Sequence, residues 1–245
     1  MQYGYEFRGE RLRPLPIELN TPDYPHALII GASGSGKSYA MKYLLGKCLQ
    51  SDPDMTIYLL DFKASDDFSF LSGYPHLYMG TNCYEGLKAY YEEFCSARDD
   101  FNKRKTGRKL LIVDEYPALI SYFTGMDKAN KTKKASELMG IVAELLMMGR
   151  GLGFGIWVVC QRPDASLFSG GARDNFMVTI ALGRLSQEAK KMVFPDYADQ
   201  IPVKPLKRGE GYILSDGNEL KKIIIPRIIN MPNWEHNIKK IIFKT

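Results

Sequence analysis

The sequence is poor in the residues that build metal clusters and disulfide scaffolds. Its four cysteines, Cys48, Cys83, Cys95 and Cys160, lie far apart with no C-x-x-C pair. That argues for reduced thiols over a disulfide framework or a zinc site. The three histidines are scattered too and read as surface or packing residues. No apolar run approaches the ~18–20 residues that span a bilayer. Met1 to Arg13 is polar and aromatic with charges throughout, unlike a signal segment. Internal repeats, low-complexity tracts and linkers rich in proline, glycine and serine are missing as well. A secreted disulfide scaffold, a membrane-spanning chain and a solenoid are thereby disfavoured, and a cytoplasmic protein is expected. At 245 residues the chain is long enough for one large α/β domain with a well-buried core. Its formal charge of +5 is compatible with nucleic-acid binding without establishing it.

What is present alternates. "HALIIG" (26–31), "TIYLLD" (56–61), "KLLIVDE" (109–115), "FGIWVVCQ" (154–161) and "FMVTIALG" (176–183) are short apolar runs rich in β-branched residues. Strands buried on both faces of a parallel sheet read this way. Helical patterns fall between them, over 37–49, roughly 83–104, 134–149 and 186–194. The alternation predicts a parallel α/β sheet with right-handed crossovers. Two further β runs flank Asp216-Gly217-Asn218, a hairpin signal, and a short helix is expected from near Pro232. The economical division is a proline-rich lead-in over 1–25 and one domain over 26–245. The polar stretch 124–137 reads as a solvated loop before a helix, with a mobile basic loop touching a phosphate backbone as its functional alternative.

Gly31, Gly36, Lys37 and Ser38 satisfy G-x-x-x-x-G-K-[ST], with a strand before and a helix after. Such glycines let several backbone N–H groups converge on one anion, and the helix start adds partial positive charge. The nucleotide-binding set is therefore Gly31, Ala32, Ser33, Gly34, Ser35, Gly36, Lys37, Ser38 and the following Tyr39. Lys37 is expected to reach the β- and γ-phosphates, and the Ser38 hydroxyl to complete a Mg²⁺ shell.

Downstream, four apolar residues end in Asp114-Glu115, as a buried strand delivering carboxylates to the ligand-binding edge of the sheet would. Asp114 is placed to hold Mg²⁺ through its water shell, and Glu115 to orient and deprotonate an attacking water. There is no N-K-x-D guanine-reading motif, since Lys133 stands where the acid belongs in "NKTK". The acidic doublet suits ATP hydrolysis by an activated water better than transfer to a small substrate. Gln161, at the end of the next strand, is a polar group that could sense the γ-phosphate and report its loss.

The order GASGSGKS, "LLDFK", "YPHLY", "LLIVDEYPALI", "GRGLGFGIWVVCQRP" and "LKRGEGYIL" resembles the motor domain of the FtsK/SpoIIIE DNA translocases, within the FtsK–HerA class of ring ATPases. The resemblance runs from about Ala27 to Leu214. It implies a three-layer P-loop NTPase fold of the RecA-like (ASCE) kind. The central sheet would be mostly parallel, with a C-terminal β-hairpin and short helix. It implies ATP and Mg²⁺ as cofactors, Walker A over Gly31–Ser38, and Walker B and base at Asp114 and Glu115. Asp61-Phe62-Lys63 stands where the family usually has D-P-K near the nucleotide, so Phe62 departs from the pattern, as does Tyr116 from an aliphatic residue or phenylalanine. Family members assemble as hexameric rings with ATP between subunits, so an arginine is expected to reach the neighbour's γ-phosphate. Arg150, Arg162, Arg173 and Arg184 are candidates, with Arg184 and then Arg150 preferred.

With no transmembrane region, no additional DNA-gripping domain and no winged helix, the resemblance is to a compact motor of a plasmid, conjugative element or phage. The expected activity is translocation along or unwinding of DNA, loaded by a partner such as a replication initiator or relaxase. Basic residues cluster at Lys103-Arg104-Lys105 with Arg108-Lys109, at Lys128 to Lys134, at Lys204 to Arg208 and at Lys221-Lys222. Repeated around a ring, one such loop becomes a positive lining that reads phosphates and not bases. Lys128–Lys134 is the leading pore-loop candidate. Two alternatives remain open: an ATPase energising protein secretion or virion assembly, and a monomeric nucleotide-dependent switch.

Overall fold

The computed structural model describes residues 1–7, 13–100, 107–204 and 206–244. Among the described residues, ten strands form one sheet. They are β1 (Gln2–Glu6), β2 (Leu15–Glu18), β3 (His26–Gly31), β4 (Thr56–Asp61) and β5 (Leu77–Met79), then β6 (Lys109–Asp114), β7 (Phe154–Cys160), β8 (Val178–Leu182), β9 (Glu210–Ser215) and β10 (Lys221–Ile224). Their spatial order is β2-β1-β10-β9-β8-β3-β7-β6-β4-β5. The six strands from β8 to β5 are parallel, and every pairing from β9 outward to β2 is antiparallel.

The central strands are apolar throughout because both of their faces are covered. Ile29, Ile57, Leu59, Ile112, Trp157 and Val159 face the layer of α1 (Lys37–Ser51) and α6 (Met231–Ile242). Alternate residues Leu28, Ile30, Tyr58, Leu111, Val113 and Val158 face α2 (Cys83–Asp99), α3 (Tyr116–Asn130) and α4 (Lys134–Leu152). The period-two alternation of a strand thus feeds two cores, giving helix, sheet and helix layers. A short α5 (Gln187–Val193) follows β8. The four cysteines are free. Among the described residues no helix is long and apolar enough to cross a membrane.

Two elements differ from the sequence expectation or add to it. The stretch 124–137 is not a long loop: α3 continues through Asn130, Lys131 closes it at φ 55°, and α4 starts at Lys134. Leu119, Ile120 and Phe123 are buried and hold the first turns, and once nucleated a helix propagates cheaply through exposed polar residues. Asp127 then fixes the tight connection, because its carboxylate accepts from the N–H groups of Lys134 (2.9 Å) and Ala135 (2.8 Å). The pore-loop candidate is therefore the tip of a helical hairpin, with Lys128, Lys131 and Lys133 exposed on it. The other element is the lead-in, whose β1 and β2 form a hairpin that pairs onto β10 and buries Tyr3 completely. The basic group Lys103-Arg104-Lys105 and the expected end of the second helix lie outside the described residues.

Candidate functional site

The site sits at the C-terminal edge of the parallel strands, where β3 gives way to a turn and then to α1. Gly31 ends β3, and a Cβ there would lie 2.4 Å from the Ser35 Oγ and 2.8 Å from the Leu182 carbonyl oxygen. Gly36, the residue before α1, has φ 99°, and a Cβ on it would meet the Arg208 Cγ at 3.1 Å and the Gly209 nitrogen at 3.2 Å. Only glycine fits both positions. Between them Ser35 donates its N–H to the Ala32 carbonyl at 3.2 Å, and its own carbonyl accepts from Gly209 N–H at 3.1 Å. The loop is thereby bound to the start of β9.

The Lys37 ammonium is buried under this loop and donates to the carbonyls of Gly31 (2.6 Å) and Ala32 (3.3 Å). Burial lowers its pKa below the usual lysine value, against the opposing pull of Glu115 and Asp114. Two and three strands away, Asp114 and Asp61 end β6 and β4 in register. Burial first, then the neighbouring charges of Glu115 and Asp61, pushes Asp114 up to about 7. Glu115 follows in the left-handed conformation, φ 55° and ψ 45°, as the residue before α3. A non-glycine residue at such angles is strained, and here the strain sets a carboxylate at the cleft wall. That carboxylate is 6% exposed and lies 2.6 Å from the Lys63 Nζ.

Of the nucleotide-loop residues, Ser33, Gly34, Gly36, Lys37, Ser38 and Tyr39 line one cleft of about 360 Å³, together with Asp114, Glu115 and Gln161. Gly31 and Ser35 are buried beneath it. Three carboxylates (Asp61, Asp114 and Glu115) gather at this edge beside two ammonium groups, Lys37 and Lys63. The Ser35 Oγ and Asp61 Oδ1 are buried without hydrogen-bond partners. Among the described residues no group of three His, Cys, Asp or Glu side chains could hold a metal by itself. A hard cation that takes one or two protein oxygens and fills the rest of its shell with phosphate and water suits this donor set. Ser38 and Asp114 would hold Mg²⁺ here, and the ion would neutralise phosphate charge.

The arginines separate. Arg162 lines a hollow beside Gln161 and Glu115, on the flank of the cleft. Arg184 is exposed just past β8, after Gly183, at the same sheet edge as the nucleotide loop. Arg150 is in the last turn of α4, near His26 at the start of β3, whose pKa burial lowers first and the Arg150 charge further. That puts it about 20 Å from the loop, the length of a six-residue strand. Arg173 is half-buried in the turn before β8. None of the four lines the cleft of its own chain.

The cleft also holds Lys63, which the resemblance to the D-P-K position puts near the nucleotide, and residues that sequence reasoning did not assign to it: Lys42, Asp67, Arg208 and Met231. Arg208 was visible only as part of a basic cluster; the glycine that follows it, at φ 82°, marks the turn that lays it against the loop. Met231 carries no local signal. An exposed guanidinium beside a phosphate loop should contribute to nucleotide affinity. Arg208→Ala is expected to weaken ATPγS binding about fivefold to tenfold, measured by titration calorimetry, and unchanged affinity would place the side chain off the nucleotide.

The FtsK/SpoIIIE family model matches residues 7–99. The Ftsk domain-containing protein YdcQ of Bacillus subtilis (strain 168) is 29% identical over 196 residues, which cover 77% of this chain and 40% of that protein. The pCW3 conjugation coupling protein TcpA, solved in its monomer form with ATPγS, is similar with a TM-score of 0.71 and 23% identity, over 91% of this chain and 64% of that one. The cytoplasmic domain of the type VII secretion ATPase EccC of Thermomonospora curvata gives a TM-score of 0.68 at 20% identity, over 98% of this chain and 30% of that one. At such identities the two structures share the fold. In each comparison the chain spans less than two thirds of its relative's length.

Proposed function

We propose that this chain, an FtsK/SpoIIIE-type P-loop ATPase domain, hydrolyses ATP within a ring, hexameric as in the family it resembles, to move along or unwind DNA. The observation that carries the reading is the convergence of Lys37, Ser38, Asp114, Glu115 and Gln161 on one cleft. Lys37 and the loop N–H groups would bind the phosphates, and Glu115 would orient the attacking water and take its proton. Water oxygen then bonds to the γ-phosphorus as the bond to ADP breaks. Gln161, beside Glu115, would register the loss of the γ-phosphate. The arginines outside the cleft, Arg184 first and then Arg150, would serve the neighbouring subunit's nucleotide. Exposed lysines at the α3–α4 tip would face the DNA backbone, with binding that weakens as salt rises. A cytoplasmic setting, carriage on a mobile element and a loading partner such as a relaxase or replication initiator belong to the same reading.

A second reading, work on polypeptide, is supported by the likeness to a type VII secretion ATPase. ATP turnover measured without polymer and with linear duplex DNA, single-stranded DNA and RNA separates the two. Stimulation by DNA is expected. A rate indifferent to all three nucleic acids would overturn the DNA motor and favour the polypeptide one, and sedimentation showing only monomer with ATP and Mg²⁺ would overturn the ring.

A further inference from the structure

A half-exposed lysine of the cleft is paired with the buried carboxylate assigned as its base. Lys63 and Glu115 form an ion pair at 2.6 Å, the lysine side chain 48% exposed and the glutamate 6%. The contact does not follow from sequence proximity, because the two residues belong to different strand ends.

The loop that carries Lys63 is built to aim it. Asp61, fully buried at the end of β4, accepts from Ser65 through both N–H (3.0 Å) and Oγ (3.2 Å). Its carbonyl also takes the N–H of Ala64 at 3.2 Å, with Ala64 held at φ 51°. Phe62 packs its ring 5.7 Å from that of Tyr122 on α3, the helix that Glu115 opens. The turn is therefore anchored on both sides of Lys63, to β4 and to α3, while the lysine itself spans open cleft.

An ammonium held against a carboxylate draws on its negative charge and fixes its orientation, so that carboxylate is a poorer acceptor for water's proton. Resting on the assignment of Glu115 as that base, we propose that Lys63 is a clamp. It holds the Glu115 carboxylate in an ion pair that an entering nucleoside triphosphate opens only in part, its ammonium then shared between the carboxylate and the terminal phosphate, so that part of the ATP-bound chain stays clamped. The glutamate is fixed by burial and by its place at the start of α3, so the lysine is the partner free to move. A terminal phosphate offers more negative charge over more oxygens than one carboxylate, and opposite charges attract in proportion. Lys63 thus acts as a positioning residue, coupling occupation of the cleft to liberation of the base.

The test is steady-state ATP turnover of the whole chain, with ATP and Mg²⁺ and no polymer. In Lys63→Met, basal kcat is expected to rise about fivefold, the size a half-exposed ion pair supports. KM for ATP should rise with it, because a phosphate contact is lost. Lys63→Arg should restore the low basal rate. Lys63→Gln, compared with wild type by thermal melting, checks that the effect is not one of folding. A basal kcat that stays level or falls in both Lys63→Met and Lys63→Gln, while Glu115→Gln remains inactive, overturns the clamp and leaves the ATPase assignment standing. Turnover that survives Glu115→Gln overturns the assignment beneath it.

Discussion

Glu115→Gln is expected to lower kcat for ATP hydrolysis by about 10²- to 10⁴-fold while leaving ATPγS affinity nearly unchanged. The amide has the shape of the carboxylate and tolerates the φ of 55° no worse, so the start of α3 and the cleft wall should persist. What it lacks is a lone pair basic enough to take a proton from water. Most of the nucleotide affinity is expected from Lys37, the loop and Arg208, which line the cleft with Glu115. A steady-state ATPase assay beside an ATPγS titration checks both halves. Full turnover in the variant would remove Glu115 from the chemistry, and lost affinity would mean that the carboxylate serves binding.

Trp157→Ala is the structural counterpart, expected to cost about 3–5 kcal/mol of stability. Trp157 is 1% exposed and lies on β7, paired with Ala27 of β3 on one side and Ile112 of β6 on the other. It packs into the same core as α1 and α6. Truncation leaves a large cavity between strands that are hydrogen-bonded on both edges and cannot close over it. For a chain of this length the loss corresponds to a fall in melting temperature of about 10 °C. The same three strands deliver the nucleotide loop, Asp114 and Gln161, so ATPγS should raise the variant's melting temperature, as binding stabilises whichever state it binds. A shift of only one or two degrees on substitution would show that the core repacks around the gap.

The reach of sequence reasoning followed the range of the forces involved. The turn of Gly31, Gly36 and Lys37 was legible because it is local: a strand, a turn that only glycine permits and a helix start, all within a dozen residues. The five central strands were legible because burial on both faces leaves an uninterrupted apolar run. Asp114-Glu115 stood out as charge at the end of such a run. By contrast, 124–137 looked like a loop because its residues are polar, yet whether a polar segment coils or continues a helix depends on the buried turn before it and on Asp127 capping the helix after it. The β1–β2 hairpin gains its stability from pairing with β10, more than two hundred residues away.

Taken alone, then, the sequence determined a glycine-rich turn between strand and helix, an acidic pair at a strand end and the parallel sheet that presents them, since each rests on contacts between near neighbours or on a single repeated period. Only the tertiary structure decided that Arg208 lies against the loop, that Arg150 sits at the far end of the sheet, and that Lys63 grips Glu115. Those are meetings between side chains from separate strand ends, and their partners are chosen by how the strands stack side by side, an order that no local pattern encodes.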